Sequence, residues 1–415
     1  MAINLPKIFS FLLVLAGASG LYLLHMRFQM PSAGFGVLHS IVFYFSVLLL
    51  TTGCSLLVGL LFNFRREFFF KVGLFLLSTF LCLFVSEIFL RTNTINQSYM
   101  ERRSNSYYPV YPRRNSNVDF VIEPSSPPFL NSSEYKFARV RNNFGFRDKD
   151  FTLKKDSSSI LIQTYGDSFT EGDGAQQDSS YPSMLHTIIL NSSTPNISVQ
   201  NFGVCGSDPG FTFRQLQDIG LTFKPDVAVI AYSSFDLTAD FFTRGGLERF
   251  KDGFWQSSDG PNWEWLYASS YVARLVANSV FGITHTNFFL SEEQKAKRIN
   301  YLKPKWNETF QRIAELARNN HIQIMLLKKP ERSELDNNEY MCDFSFFENI
   351  ADTISVFKRF DLLPYYRDSL GITEQNSAQY YWPIDGHHNA TGYAAMAKSV
   401  GAGLKKFYPQ LFEKE

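Results

Sequence analysis

Three long apolar runs open the chain and constrain what the rest of it can do. They cover residues 8–24, 41–62 and 72–90 of the 415-residue sequence. A helix needs about 20 apolar residues to cross the hydrocarbon core of a bilayer, so the second and third runs each predict a membrane-spanning helix. The first run is shorter and has two interpretations. It is either a third spanning helix or the apolar part of a signal peptide, because Lys7 precedes it and small residues lie at 16–18.

The positive charges around these runs predict an orientation. Arg65, Arg66 and Lys71 lie between the second and third runs, whereas the loop after the first run offers Arg27. Cytoplasmic loops carry an excess of Lys and Arg, so we expect the second loop to be inside and the chain after Leu90 to be outside. The expected location is the cell membrane, multi-pass, with an extracytoplasmic C-terminal domain.

The third run contains a single acid, Glu87. It lies four residues before Arg91, which is the spacing at which side chains on one helix meet. We interpret the two residues as an ion pair at the membrane boundary. A functional acid inside the membrane is the alternative.

The sequence divides into three parts. The predicted transmembrane region covers residues 1–91, and residues 92–136, rich in Ser, Asn, Pro, Tyr and Arg, predict an extended linker. Residues 137–415 alternate strand-like and helix-like segments, with an insert at about 241–300. The strand-like segments are 159–165, 197–204, 226–233 and 322–328. This alternation predicts an α/β domain with a parallel sheet covered on both faces.

Charge and cysteine content exclude several classes of function. The sequence has 40 basic and 39 acidic residues and a formal net charge of +1. A nucleic-acid partner would require a concentrated basic face, so we expect no such partner. Cys54, Cys82, Cys205 and Cys342 lack the spacing of a metal site or a disulfide framework. We therefore predict no metal site and no cofactor.

Ser168 follows the first predicted strand directly, within the segment GDSFT. In open parallel sheets, ligands bind at the carboxyl ends of the strands. A serine hydroxyl needs a base to accept its proton, and the base needs an acid to orient it. His387 or His388 is the candidate base and Asp385 the candidate acid. The backbone N–H groups of Ser168 and Gly206 are candidate donors to an oxyanion.

Four segments together resemble the motif blocks of a known family. They are GDSFT at 166–170, NFGVCG at 201–206, SSFDL at 233–237 and DGHHNATG at 385–392. Their content and order resemble the SGNH, or GDSL-type, hydrolase superfamily, over about residues 138–410. The resemblance implies a flavodoxin-like α/β/α domain with a parallel sheet. The segment RVRNNFGFRDKDF before the first strand also resembles the lead-in of membrane-anchored members.

The resemblance implies a role for each matching residue. Ser168 would be the nucleophile and first oxyanion donor, Gly206 the second donor, and Asp385 the orienting acid. The family spacing His-x-Asn-x-x-Gly favours His387 as the base, whereas the spacing Asp-x-x-His favours His388. We take His387 as the base and keep His388 as the alternative.

One position departs from the family and leaves two functional classes open. Phe235 stands where the family carries an asparagine that donates to the oxyanion, and a phenylalanine ring has no such donor. The first class is a membrane-anchored extracytoplasmic serine esterase or O-acyltransferase acting through an acyl-serine intermediate. The second is a catalytically weakened binding or assembly protein of the cell envelope.

The resemblance also implies partners. The substrate would be an ester, in particular an acetyl ester, of a carbohydrate or lipid-like molecule. The other expected partners are the lipid bilayer and, for a transferase, a membrane protein that donates the acyl group.

Several other residues receive structural interpretations. We expect Asp167 to cap the helix that follows it, and Asp173 and Asp208 to be solvated in loops. The tryptophans of the insert, including Trp263 and Trp265, are expected to pack on the domain. Stacking on a sugar and contact with the membrane interface are the alternatives for these tryptophans.

Overall fold

The computed structural model describes residues 5–28, 37–62, 64–92, 104–105, 112–113, 121–122, 129–153, 155, 159–192, 197–251, 254–256, 263–282 and 292–412. The chain divides into two compact units. One unit contains residues 1–105 and 250–291, and the other contains residues 106–249 and 292–415.

Three apolar helices dominate the first unit. They are α1 (Leu5–Phe28), α2 (Val37–Leu61) and α3 (Arg66–Thr92). All three are long and apolar enough to cross a membrane. Arg66 and Lys71, expected in the loop before the third run, lie inside α3 instead. An apolar run marks only the hydrophobic part of a helix, and the helix itself continues into its charged flanks.

The first unit also contains residues from the middle of the chain. Two short helices, Glu264–Ser269 and Tyr271–Phe281, belong to it, together with an antiparallel sheet of Ser104–Asn105, Phe254–Gln256 and Phe250–Lys251. Its buried core combines Leu24, Phe43 and Tyr44 with Tyr267, Ala268 and Ala277. The predicted pair of Glu87 and Arg91 is confirmed, with Nε 2.9 Å from Oε1.

The second unit is built on a five-stranded parallel sheet. Its strands are β1 (Ile160–Tyr165), β2 (Ile197–Asn201), β3 (Val227–Tyr232), β4 (Gln323–Lys328) and β5 (Phe357–Asp361). They lie in the order 2-1-3-4-5, which is the flavodoxin-like order, with every neighbouring pair parallel. The predicted α/β fold with a parallel sheet is confirmed, and β5 is a strand that the sequence analysis missed.

Helices cover both faces of this sheet. The helices of the second unit are Ser168–Glu171, Tyr181–Ser192, Pro209–Asp218, Phe241–Arg244, Glu292–Asn319, Arg332–Asn337, Ser345–Ala351, Leu362–Pro364 and Ala390–Phe407. Val227, Val229 and Ala231 of β3 join one core cluster with residues of the helices 181–192 and 390–407. Tyr232 packs on the other face, where Trp306 and Phe310 lie against its ring. Burial on both faces explains why β3 is an uninterrupted apolar run.

Two short strand pairs precede the sheet. Phe129–Asn131 pairs with Lys136–Ala138, and Pro112–Arg113 pairs with Val121–Ile122. Most of residues 93–128 lies outside the described residues. The boundaries 1–91, 92–136 and 137–415 therefore stay a prediction.

Candidate active site

Ser168 lies at the carboxyl end of β1, where a short helix begins. β1 ends at Tyr165, and residues 168–171 form one turn of helix. Asp167 is the N-cap residue, and its Oδ1 accepts a hydrogen bond from the Phe169 N–H at 2.9 Å. The structural interpretation of Asp167 is therefore confirmed. β1 lies between β2 and β3, so Ser168 lies at the point where the strand order reverses.

Three predicted residues form a continuous line of hydrogen bonds. Ser168 Oγ lies 2.7 Å from His387 Nε2, and His387 Nδ1 lies 2.5 Å from Asp385 Oδ1. The side chains of His387 and Asp385 are partly exposed. A neutral imidazole that donates from Nδ1 to the carboxylate has Nε2 free to accept the serine proton. The geometry therefore suits activation of the Ser168 hydroxyl.

His388 lies in a different environment from its neighbour. It is 1% exposed, its Nδ1 donates to the Tyr380 carbonyl at 3.1 Å, and the Tyr366 hydroxyl lies 3.4 Å from its Nε2. Burial lowers the pKa of His388 to about 3, so the ring is neutral across the physiological range. Both ring nitrogens are used within the core, whereas those of His387 face Ser168 and Asp385.

Asp385 is held by two residues that precede the first strand of the sheet, Glu134 and Tyr135. The Tyr135 hydroxyl donates to Asp385 Oδ1 at 3.0 Å, and Glu134 Oε2 accepts from the N–H groups of Ile384 at 2.9 Å and Asp385 at 2.7 Å. Burial and the Asp385 carboxylate raise the pKa of Tyr135 well above its ordinary value, so the phenol stays a donor. Sequence reasoning missed both contacts, because residues 134 and 135 belong to the predicted linker.

The loop that carries Gly206 is bonded to the turn before Ser168. Val204 N–H donates to the Gly166 carbonyl at 3.0 Å, and Ser207 Oγ donates to the same carbonyl at 2.7 Å. Gly206 has φ +72°, a left-handed conformation that favours glycine. At Gly203 a Cβ atom would lie 2.2 Å from the Glu171 nitrogen, so this loop can approach the serine helix only with glycine there.

A buried ionic cluster joins the serine helix to this loop. Glu171 Oε2 accepts from the Cys205 N–H at 2.6 Å, while its Oε1 lies 2.9 Å from Arg139 Nε. Arg139 Nη2 also lies 3.4 Å from Asp173 Oδ1. Asp173 is 8% exposed, so its interpretation as a solvated acid is wrong. Burial, and next the charge of Glu171, raise the pKa of Asp173 to about 6.

Asp208 is a second buried acid that was expected to be solvated. It caps the helix Pro209–Asp218, and its Oδ1 lies 2.6 Å from Arg249 Nη2 with both side chains fully buried. The partner lies 41 residues away, so the loop composition around Asp208 gives no sign of it.

Phe235, at the position where the family resembled by the motif blocks carries an asparagine, follows β3 and is 50% exposed. The two preceding serines are buried and hydrogen-bonded elsewhere. Ser233 Oγ donates to Asp236 at 3.2 Å, and Ser234 Oγ accepts from the Cys342 N–H at 3.3 Å. Among the described residues, no group of three or more His, Cys, Asp and Glu side chains is arranged to hold a metal ion.

Comparisons with known proteins find solved structures that are similar at low identity. No protein-family model matches the chain, and no curated protein matches it. A two-domain esterase active on acetylated mannans is similar at 13% identity and a TM-score of 0.36, covering 62% of this chain and 50% of that one. A psychrotrophic esterase from Pseudoalteromonas sp. is similar at 12% identity and a TM-score of 0.35, covering 60% of this chain and 100% of that one.

An acetyl xylan esterase is also similar, at 13% identity and a TM-score of 0.33, covering 59% of this chain and 100% of that one. The chain spans half the length of the two-domain esterase. At such identities and TM-scores, these similarities decide neither activity nor substrate.

Proposed function

We propose that the chain is a membrane-anchored, extracytoplasmic serine enzyme that transfers acyl groups, as an esterase or an O-acyltransferase. The observation that carries the proposal is the line of hydrogen bonds from Ser168 Oγ through His387 to Asp385, with distances of 2.7 and 2.5 Å. Ser168 is the nucleophile, His387 the base and Asp385 the residue that orients it.

The proposed reaction proceeds in two halves. Ser168 Oγ attacks the ester carbonyl carbon while His387 Nε2 takes the hydroxyl proton, and a tetrahedral oxyanion forms. The oxyanion collapses, the bond to the alcohol breaks, and His387 returns the proton to the departing alkoxide. Water or a sugar hydroxyl then attacks the acyl carbon while His387 takes its proton. The bond to Ser168 Oγ breaks, His387 returns the proton to Oγ, and an acid or a new ester is released.

Two backbone groups are the proposed oxyanion donors. They are the N–H of Ser168, at the first turn of a helix, and the N–H of Gly206, in the loop bonded to Gly166. Phe235 supplies no third donor, and one such donor is worth about 2.7–4 kcal/mol of transition-state stabilisation. We therefore propose a slower enzyme than one with all three donors.

The proposed substrate is an acetyl or similar ester on a carbohydrate or lipid-like molecule. The three apolar helices favour an enzyme that works at a membrane, and the resemblance of the motif blocks favours ester chemistry. For a transferase, a membrane protein that donates the acyl group is the proposed partner.

Turnover of 4-nitrophenyl acetate by the full chain in detergent micelles tests this proposal. We expect hydrolysis by the wild type and loss of at least 99% of it in Ser168→Ala, with Ser179→Ala as a surface control that keeps full activity. An oligosaccharide acceptor separates the two subclasses. Acetylated acceptor marks a transferase, and free acetate alone marks a hydrolase.

Phe235 favours a second candidate, a binding or assembly protein of the envelope that keeps the fold. That candidate predicts no turnover and no effect of Ser168→Ala on turnover. Restoring the missing donor with Phe235→Asn distinguishes a weakened enzyme from a protein without activity. A weakened enzyme gains rate in this variant, whereas a binding protein stays inert.

A further inference from the structure

The helix Tyr271–Phe281 presents the opposite polarity to a surface helix in water. Leu275, Val276, Val280 and Phe281 are exposed, with Val280 at 69% and Phe281 at 59%. Arg274, the charged residue of this helix, is buried, and it donates to the carbonyls of Tyr267 and Ala268 at 2.8 Å each. A helix facing water turns its apolar stripe inward and its charges outward.

Within the first unit, this helix and the preceding one, Glu264–Ser269, pack against all three apolar helices. Trp265 lies edge-on to Phe43 of α2, with ring centroids 6.3 Å apart, and to His25 of α1 at 6.2 Å. Phe80 and Phe84 of α3 pack on the same cluster. The helices Glu264–Ser269 and Tyr271–Phe281 therefore share a core with the apolar helices.

Glu87 links α3 to the helix Tyr271–Phe281 by accepting hydrogen bonds from the first N–H groups of that helix. Its carboxylate accepts from the N–H groups of Tyr271 at 2.8 Å and Val272 at 3.2 Å, and from the Tyr44 hydroxyl at 3.0 Å. A negative charge at a helix N-terminus is favourable because it faces the exposed N–H dipoles. This contact holds Tyr271, the first residue of the helix, beside Glu87 at the same height along α3.

These contacts place the start of the helix Tyr271–Phe281, and Trp265 before it, inside the length of the apolar segments and not beyond their ends. Glu87 lies four residues before the end of the segment Arg66–Arg91, or about 6 Å along the helix axis. Phe43 lies five residues after the start of the segment Leu38–Leu61, or about 7–8 Å along its axis. The start of α2 and the end of α3 lie on the same side, because the two helices are consecutive and antiparallel. The helices Glu264–Ser269 and Tyr271–Phe281 therefore meet α2 and α3 within the length of their apolar segments.

We propose that the helices Glu264–Ser269 and Tyr271–Phe281 are embedded in the bilayer, and that Leu275, Val276, Val280 and Phe281 contact lipid acyl chains. The occupant of this apolar face is lipid, because the face continues the surface of three helices that are themselves apolar enough to span. The inference rests on the membrane placement in the proposed function. It assigns part of the predicted insert to the anchor.

Fluorescence quenching of the full chain in vesicles tests this placement. The four native cysteines are replaced by alanine, and Val280→Cys is labelled with an environment-sensitive fluorophore. The vesicles contain phosphatidylcholine and phosphatidylglycerol, with doxyl-labelled phosphatidylcholine as the quencher. Phe75→Cys, exposed on α3, is the membrane reference, and Val140→Cys, a valine of similar exposure in the second unit, is the water reference. Phe281→Cys provides a second site on the same face.

We expect the labels at 280 and 281 to be quenched at least half as strongly as the label at 75, and the label at 140 to be unaffected. Quenching at 75 without quenching at 280 and 281 would overturn the inference and leave the membrane anchor intact. Shielding of 280 from both the lipid quencher and iodide would indicate a protein contact and would also overturn it. Absence of quenching at 75 would overturn the membrane placement itself.

Discussion

The Tyr135 hydroxyl donates to Asp385 Oδ1 at 3.0 Å, on the oxygen that lies 2.5 Å from His387 Nδ1. A tyrosine about 250 residues away in sequence thus orients the acid of the proposed triad. Without this hydrogen bond the Asp385 carboxylate can rotate away from His387 Nδ1, so the imidazole is positioned less well, and a tenfold loss of rate corresponds to about 1.4 kcal/mol of transition-state stabilisation. We expect Tyr135→Phe to lower kcat for 4-nitrophenyl acetate about tenfold with little change in KM.

Separate values of kcat and KM distinguish this positioning role from general damage to the fold. Misplacement of the triad slows the chemical step and leaves ester binding intact, so KM should stay within about twofold of the wild-type value. Tyr340→Phe is the matched control, because Tyr340 donates to Asp361 at 2.7 Å and neither residue belongs to the triad. A rate loss in Tyr135→Phe that comes from KM instead of kcat, or an equal loss of kcat in Tyr340→Phe, would contradict the role of Tyr135.

Glu134 holds the backbone on which Asp385 sits. Its Oε2 accepts from two consecutive N–H groups, those of Ile384 and Asp385. We expect Glu134→Ala to lower kcat about tenfold, because two donors lose their acceptor and the loop relaxes. Glu134→Gln retains an acceptor oxygen and should recover most of the rate. Equal activity in the alanine and glutamine variants, measured with the same ester, would rule out this role.

His388 makes the stability of the fold depend on pH. Its folded pKa of about 3 lies below the ordinary value of 6.5, so below pH 6.5 the unfolded chain binds more protons than the folded chain. The stabilisation is complete above pH 6.5 and is lost as the pH falls towards 3. At pH 5 the loss is about 2 kcal/mol relative to pH 7.5.

We expect His388→Gln to reduce this difference in the free energy of unfolding between pH 7.5 and pH 5 by about 2 kcal/mol. Chemical denaturation of the full chain in detergent micelles, followed by tryptophan fluorescence, measures it. His321→Asn, at an exposed histidine, should keep the wild-type difference. An unchanged difference in His388→Gln would show that this ring is not the buried neutral group described here.

Glu171 connects the serine helix to the loop of Gly206 through the Cys205 N–H and is paired with Arg139. Removing one partner of a buried ion pair costs about 3–5 kcal/mol, because the other charge stays buried. We therefore expect Glu171→Gln to destabilise the chain by about that amount and to lower kcat. Glu315→Gln, which breaks an exposed pair with Arg312, should cost less than about 1 kcal/mol. Similar costs for both variants in the denaturation assay would contradict the buried cluster.

The sequence predicted the frame of this molecule because its strands are continuous apolar runs between recognisable helices. It missed β5 because an edge strand with Lys358 and Arg359 lacks such a run. It placed Ser168 on one segment and Asp385 with His387 on another, and the spacing left His388 as the alternative to His387. Their difference is a tertiary effect, because His388 is buried and its ring nitrogens face the Tyr366 hydroxyl and the Tyr380 carbonyl.

Long-range contacts limited the rest of the prediction. Asp173 and Asp208 were misread as solvated because their partners, Arg139 and Arg249, lie 34 and 41 residues away. Tyr135 lies 250 residues from its partner Asp385, within a stretch whose composition predicts a linker. No local pattern encodes such pairs, so they become visible only once the fold is known.

Reaction of the full chain with a fluorophosphonate tests the central claim most directly. The phosphorus of this reagent is attacked by a serine oxygen only when a base activates the hydroxyl. We predict a single covalent adduct, located on Ser168 by peptide mass spectrometry, whose rate of formation falls at least a hundredfold in His387→Gln and stays within twofold of the wild type in His388→Gln. A wild-type chain that forms no adduct on Ser168, or one whose adduct forms equally fast without His387, would contradict the account.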